Sequence, residues 1–323
     1  MYNLISKIHN CIDYRRIKMS ILVFGSINMD LTTYVPKLPR PGETLRGSSY
    51  ITVPGGKGNN QAVACARLGA KTRFVGRVGN DAFGPEVLRI VAKENVDVSK
   101  VITDLDSGTG LAVISVDETA ENSIIIVSGA NLALDDSDVE RAKASMADMK
   151  VLMLQLEVAL EPVFKTAKAA YDKGLTVILD PAPAYPIPDD VFPSIDFITP
   201  NEVETEALVG FKPANPEDAA RAAKMLRAKG VRTAIIKMGS QGAYYESPEG
   251  ADFVKAFKVY AIDTVAAGDA FNAGLAVAIS EGESVAEAVR WGAAAGAIAT
   301  TRKGALPAMP YREELLNLLK EQS

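Results

Sequence analysis

Short apolar runs rich in Val, Ile, Leu and Phe alternate with helical patterns along most of this chain. Ile21-Leu-Val-Phe-Gly25, Thr72 to Val78, Val151 to Leu156, Leu175 to Leu179, Phe197 to Thr199 and Thr233 to Lys237 each read as a strand. A strand without a polar face has no wet side, so it belongs in the interior of a sheet. Helices are expected over Gln61 to Leu68, Pro85 to Lys93, Glu161 to Lys173, Glu217 to Lys229, Ala267 to Ile279, Ser284 to Ala299 and Arg312 to Lys320. Gly69, Gly174 and Gly230 act as stop signals. The alternation predicts an α/β fold, a parallel sheet covered by helices.

Two stretches break the rhythm. Leu31 to Val53 is rich in Thr, Tyr, Val and Pro and turns at Pro41-Gly42. Gly110 to Val127 alternates apolar and polar residues, turns between Asp117 and Asn122, and resumes with Ile124-Ile-Ile-Val127. Alternation gives one buried and one wet face, which predicts an antiparallel sheet outside the main core. Both stretches flank Gly-rich loops, so segments 31–54 and 108–128 are expected to form a small β lid over the mouth of the domain; edge strands of the main sheet are the alternative. No repeat or low-complexity linker divides the chain. Residues 21–323 are expected to form one domain and residues 1–20 a poorly ordered N-terminal extension, with Met19 a candidate start.

Composition closes off several kinds of function. The 323 residues include 35 Lys or Arg and 40 Asp or Glu, a formal charge of -5. Such a chain has no general attraction for nucleic acid or anionic lipid, so any phosphate it handles must be held locally. No apolar run is long enough to cross a bilayer, and residues 1–20 lack the features of a signal peptide, which points to a soluble cytoplasmic protein. Cys11 and Cys65 make neither a disulfide framework nor a metal-type spacing. The one histidine, His9, lies in the N-terminal stretch, which leaves none for a nucleophilic triad or a His-ligated zinc. Acid–base chemistry is left to carboxylates, lysines and backbone dipoles.

The strongest motif is Asp263-Thr-Val-Ala-Ala-Gly-Asp-Ala-Phe-Asn-Ala-Gly274. Its small residues allow the backbone amides of Ala266, Ala267 and Gly268 to stand open at a helix start, an anion hole for charge developing on a transferring phosphoryl group. Asp269 beside it is placed to take a proton from an attacking hydroxyl; on this motif alone an ordinary first-turn acid is an equal reading. Gly55-Gly-Lys-Gly-Asn-Asn-Gln61 is a second Gly-rich loop, neither a Walker A loop nor Gly-x-Gly-x-x-Gly, and its adjacent amides Asn59 and Asn60 suit a polyhydroxylated ligand. Asn28 and Asp30, in Gly25-Ser-Ile-Asn-Met-Asp30, and Glu157 after Met153-Leu-Gln-Leu156 follow strand carboxyl ends, where open α/β sheets bind ligands. An Asx turn and a capping or surface acid are the alternatives. Asn201 and Glu204 occupy a first helical turn, as capping residues or as a pair orienting water on Mg²⁺ near nucleotide phosphates. Lys237-Met-Gly-Ser-Gln-Gly242 is a turn able to line a phosphate tail or simply to start a hairpin.

In this order and spacing the motifs resemble the phosphofructokinase-B type carbohydrate kinase family, over nearly the whole chain from Ile21. Gly25–Asp30, Glu157, Asp180-Pro-Ala-Pro-Ala184, Pro200–Glu204 and Thr301-Arg-Lys-Gly-Ala305 resemble its ribose-phosphorylating members in particular. The resemblance implies a doubly wound α/β fold with helices on both faces of a mostly parallel sheet, and a β lid that forms a homodimer contact. It implies ATP-dependent phosphorylation of ribose at its 5-hydroxyl, with 2-deoxyribose, a nucleoside, fructose or 2-keto-3-deoxygluconate as alternative acceptors. A non-catalytic sugar-binding regulator on the same fold is the rival of another class. It assigns Asn28, Met29, Asp30, Gly56, Lys57, Gly58, Asn60 and Glu157 to the sugar and Asp269 to the catalytic base. Asn201, Lys237, Met238, Gly239, Ser240, Gln241, Gly242 and Gly268 fall to ATP, and Glu204 to Mg²⁺ through water. An activating K⁺ is implied at Asp263, Val265, Ala299, Arg302, Gly304 and Ala308. Three departures stand out. Ala308 replaces a frequent Ser, which implies a looser K⁺ site. Ala293 and Lys237 replace commoner residues, changes expected to bear on adenine affinity and not on the reacting atoms.

Overall fold

Successive residues of the first strand enter different cores. Ile21 and Val23 join one buried apolar cluster, and Leu22 and Phe24 another. Side chains alternate across a strand, so both faces of this sheet must be covered. The computed structural model describes residues 20–119 and 121–322; residues 1–19 of the expected N-terminal extension, with His9, Cys11 and Met19, lie outside the described residues, and Ser20 opens the first strand.

In chain order the elements begin with β1 (Ser20–Phe24), β2 (Asn28–Tyr34), β3 (Ser49–Gly55), α1 (Lys57–Arg67), β4 (Lys71–Gly79), α2 (Phe83–Lys93) and β5 (Val96–Asp104). Next come β6 (Gly110–Val116), β7 (Asn122–Val127), α3 (Asp136–Ala144), β8 (Val151–Leu154), α4 (Leu160–Asp172), β9 (Thr176–Leu179) and β10 (Phe197–Ile198). The chain continues with α5 (Glu202–Val209), α6 (Pro216–Ala228), β11 (Thr233–Lys237), β12 (Gly242–Ser247) and β13 (Gly250–Lys255), then α7 (Ala267–Glu281), α8 (Val285–Thr300) and α9 (Arg312–Glu321).

Nine strands form one sheet in the order β13-β12-β11-β10-β9-β8-β1-β4-β5. Neighbours from β11 to β5 are parallel, whereas β12 and β13 fold back antiparallel. Helices α1, α2, α7, α8 and α9 supply the core on one face, and α3, α4 and α6 on the other. This is the doubly wound architecture expected. From β1 the chain winds outward through β4 and β5, then returns to β8 on the other side of β1, so the β1/β8 boundary is the switch point where such sheets open a crevice.

The second sheet has the order β3-β2-β6-β7. Its outer pairs are antiparallel as expected, but β2 and β6 run parallel, with Asn28 opposite Gly110. The reason is the route of the chain. Both β2 and β6 follow parallel strands, β1 and β5, that leave the main sheet at the same carboxyl edge. Sequence periodicity also missed β5 and α3. In β5 the polar Asp97, Ser99 and Lys100 mask the strand pattern at a bulged sheet edge. Helix α3 is built on a capping box at Asp135 and Asp138, with little apolar content. Among the described residues no helix is long and apolar enough to cross a membrane.

Candidate active site

Five adjacent parallel strands deliver polar residues to one edge. Beyond their carboxyl ends come Gly25–Asn28 after β1, Gln155–Glu157 after β8, Asp180 after β9 and Asn201 after β10, while β11 ends on Lys237. Glu157 spans the switch point. Its Oε2 accepts from Ser26 Oγ at 2.7 Å and from the Lys57 N–H at 2.9 Å. It therefore ties the first amide of α1 to the turn after β1, a cap supplied from across the sheet and not a free surface acid. Helix α1 starts four residues earlier than its glycines suggest, because Gly56 caps it at φ +89°. A Cβ on Gly58 would lie 2.6 Å from the Ser26 nitrogen, so this close approach admits only glycine.

On β2, Asn28 and Asp30 share one face and Met29 takes the other. Met29 is buried in the core, so of this expected ligand trio it can offer only its backbone. Sequence reasoning missed Asn131, which is buried and fixes the loop. It accepts from the Ile27 N–H at 2.9 Å, and its Nδ2 donates to Asn28 Oδ1 at 2.7 Å. Asn28 is thereby oriented with its NH₂ as the remaining donor. Asp30 is pushed up to about 6 by burial and by the nearby Glu157 charge.

Asp269, at the start of α7, is buried, and its carboxylate reaches the N-terminal part of α1. Asn60 Nδ2 donates to Oδ2 at 2.9 Å and Gln61 Nε2 to Oδ1 at 3.1 Å. Asn60 Oδ1 is left buried without a protein partner among the described residues, as are both side-chain polar atoms of the fully enclosed Asn59 one residue earlier on α1. Burial pushes the Asp269 carboxyl up to about 6; Lys57 opposes this, Asp180 adds to it, and the two amide donors oppose it. Burial works against the Lys57 ammonium, yet Asp269, Asp180, Glu157 and Glu204 around it hold its pKa above the ordinary lysine value.

The preceding residue types give α7 its open end. Ala266 caps the helix at φ +58°, left-handed and unusual for a residue with a Cβ, and offers no side-chain cap. One of the three expected free amides is engaged: Ala267 N–H donates to the Thr264 carbonyl at 3.3 Å. Without a capping side chain, the Gly268 amide at this helix end has no capping partner among the described residues.

Asn201 and Glu204 form a reciprocal capping box on α5, with Asn201 N–H donating to Glu204 Oε2 at 2.8 Å and Asn201 Nδ2 to Oε1 at 3.0 Å. Burial raises the Glu204 pKa and Lys237 opposes it. In the Lys237–Gly242 turn, Met238 is buried in the core and can present only backbone. Lys237 departs from expectation. Its ammonium lies 3.1 Å from Asp180 Oδ1 and 3.4 Å from where a Cβ on Gly268 would stand. The last side chain of β11 thus reaches the start of α7. Asp180 is in turn held by Gln61, whose Nε2 also donates to Oδ2 at 3.0 Å. Both glutamines of this cluster, Gln61 and Gln155, escaped assignment from sequence; Gln155 Nε2 donates to Gln61 Oε1 at 2.6 Å.

The segments expected to ring a monovalent cation lie together. Thr300 O accepts from Ile262 and Asp263 N–H groups, and Asp263 accepts from Val265 at 3.0 Å and Gly304 at 2.9 Å. The Arg302 guanidinium pairs with Glu314. Ala308 is buried and brings no side-chain oxygen.

The sequence pattern described as pfkB family carbohydrate kinase matches residues 18–312. This chain belongs to that family. It is 42% identical over 303 residues to a ribokinase of Haemophilus influenzae, covering 94% of this chain and 99% of the relative. A deoxyribokinase of Salmonella typhi is 35% identical over 297 residues, 92% and 97% of the two chains. Among solved structures, a ribokinase of Arabidopsis thaliana complexed with ribose and ATP superimposes with a TM-score of 0.86 at 34% identity, covering 94% of this chain and 99% of its own. For a ribokinase of Thermotoga maritima the TM-score is 0.84 at 37% identity, with the same coverage. For this pfkB kinase the Asp269 helix, the Gly-rich loop and the strand-end carboxylates are thus parts of one sugar-kinase fold.

Proposed function

We propose that this chain transfers the γ-phosphoryl group of ATP to the 5-hydroxyl of ribose, giving ribose 5-phosphate and ADP. One observation carries the reading. The Asp269 carboxylate is bonded to Asn60 on α1 while it opens the helix whose Gly268 lies beside the Lys237 ammonium. A hydroxyl held against Asn60 and an anion held at Gly268 would therefore both lie beside one buried carboxylate.

Asn28, Asp30, Gly56–Gly58, Asn60 and Glu157 hold the sugar. Asp269 takes the hydroxyl proton as the new P–O bond forms and the bond to the bridging oxygen of ADP breaks. The Gly268 amide, at the positive end of α7, meets the charge that develops. Asn201, Glu204 and the 237–242 turn line the nucleotide side. We place Mg²⁺ on the phosphates, with Glu204 contributing through water because Asn201 holds both of its oxygens. The stitched 263–265 and 299–304 loops offer carbonyls and one carboxylate, the hard oxygen donors that K⁺ takes. That cation would fix the backbone leading into α7. The small sheet is the lid of this reading, its outer strands the contact of a homodimer, and the cytosol its compartment.

The deoxyribokinase relative favours 2-deoxyribose as a second acceptor. Asn28 and Asp30 together ask for neighbouring ring hydroxyls, which ribose supplies. ADP release with ribose, 2-deoxyribose, fructose and a nucleoside, with and without K⁺, tests this. Ribose is expected to have the highest kcat/KM. Equal or better use of another acceptor replaces it, and sugar-independent silence with every acceptor removes the kinase reading.

A further inference from the structure

A lysine ammonium set against the positive end of a helix is unfavourable unless an anion joins them. Lys237 is in that position. Its Nζ reaches the first turn of α7 at Gly268, with the side chain 13% exposed, and the Asp180 carboxylate keeps it there. Asp180, buried, pairs with it at 3.1 Å, and Glu204 faces it from α5. Lys57 is the other cation near these carboxylates, but it stands on α1 with the Gly-rich loop. Lys237 stands on β11, next to the turn that lines the nucleotide side.

We propose that Lys237 is a catalytic residue that grips the transferring phosphoryl group together with the Gly268 amide, and that Asp180 holds its ammonium in place when no nucleotide is bound. The inference rests on the kinase reading above and deepens it. Two positive groups, one a backbone dipole and one a full charge, converge from different elements on one point. Such a point takes an oxyanion. The reaction places the γ-phosphoryl oxygens beside Asp269, so those are the oxygens within reach. ADP lacks them. Lys237 is therefore expected to distinguish ATP from ADP, which neither the 239–242 turn nor Asn201 need do.

Lys237→Gln keeps much of the length and removes the charge, and Lys237→Arg keeps the charge. Turnover with ribose is expected to fall on the order of 100-fold in Lys237→Gln, as for loss of one preorganised donor to a developing oxyanion, and to recover in part in Lys237→Arg. Without sugar, calorimetry is expected to show ATP binding weakened about tenfold by Lys237→Gln, while ADP changes less than about threefold, the pattern of a contact made only to the γ-phosphoryl group. A lysine that merely neutralises Asp180 would give another result. ATP and ADP would weaken alike and thermal stability would fall, and that outcome overturns the proposal, as does turnover within about threefold of the wild type. Should Lys237→Gln not fold, Lys237→Met, which also removes the charge, decides, because an ATP-to-ADP preference and turnover unchanged from wild type would place the contact elsewhere. A wild type that binds ATP over ADP yet phosphorylates no sugar would count against the function and leave the Lys237 contact standing.

Discussion

Gln61 Nε2 donates both to Asp269 Oδ1, at 3.1 Å, and to Asp180 Oδ2, at 3.0 Å. One amide thus joins the proposed base to the carboxylate that holds Lys237, and Gln155 fixes the orientation of that amide. Gln61→Leu should leave Asp269 with Asn60 as its one amide partner. Turnover is expected to fall about 10- to 100-fold, the scale of a small misplacement of a catalytic group, while KM for the sugar moves little. The Gln61 hydrogen bond lowers the Asp269 pKa, so its loss should also move the acid limb of the pH–rate profile upward. A lowered kcat with an unmoved acid limb would assign Gln61 a purely structural part.

Asp269→Asn retains the shape of the side chain and removes the proton acceptor. General-base catalysis is worth roughly 10²–10⁴-fold, so kcat should drop about 100-fold or more, with ribose affinity by calorimetry nearly unchanged. Turnover close to wild type would take the base role from Asp269.

Asp269 and Asp30 are both pushed up to about 6, chiefly by burial. Each folded-state value exceeds that of an unfolded Asp, so the folded state holds these protons more tightly. Their contribution to stability is full below about pH 4 and is lost as pH rises through about 6. Activity runs the opposite way, since the base must be ionised and Asp30 must accept sugar hydroxyls. From pH 8 down to 5, kcat is expected to fall below about pH 6 and KM for ribose to rise over the same interval. A flat profile between pH 5 and 7 would contradict both assignments.

The sheet, its helices and the switch-point location were legible because they rest on hydrophobic periodicity, which β1, β8, β9 and β11 display almost without interruption. Asp269, Asn60 and Glu157 could be read because small residues and strand ends mark them locally. Asn131, Gln61 and Gln155 could not. Their roles arise from contacts across 94 to 208 positions of sequence, and an amide side chain carries no local sign of the partner the fold brings to it. The parallel pairing of β2 with β6 was hidden for a similar reason: alternation fixes which face is wet, and the path of the chain fixes strand direction. Lys237 was visible as an unusual residue, but only the fold shows that it stands between Asp180 and Gly268.

The outermost strand of the small sheet, β7, exposes Ile124, Ile125, Ile126 and Val127 at 53%, 61%, 62% and 52%. Tyr50 and Ile51 on β3, at the opposite edge, are exposed at 70% and 46%. An uncovered apolar edge strand is a template for association, and natural sheets usually blunt such edges with charge. This sheet instead presents four successive aliphatic residues, which favours a partner surface of the same kind. A second copy pairing sheet to sheet would cover them and brace the loops carrying Asn28 and Gly55, which begin β2 and end β3. Sedimentation should therefore give a dimer for the wild type and a monomer for Ile125→Lys with Ile126→Glu. Because Asn28 and Asp30 lie on β2, the double variant should raise KM for ribose more than it lowers kcat. A wild type that is monomeric at micromolar concentration would leave these side chains without the partner argued for them.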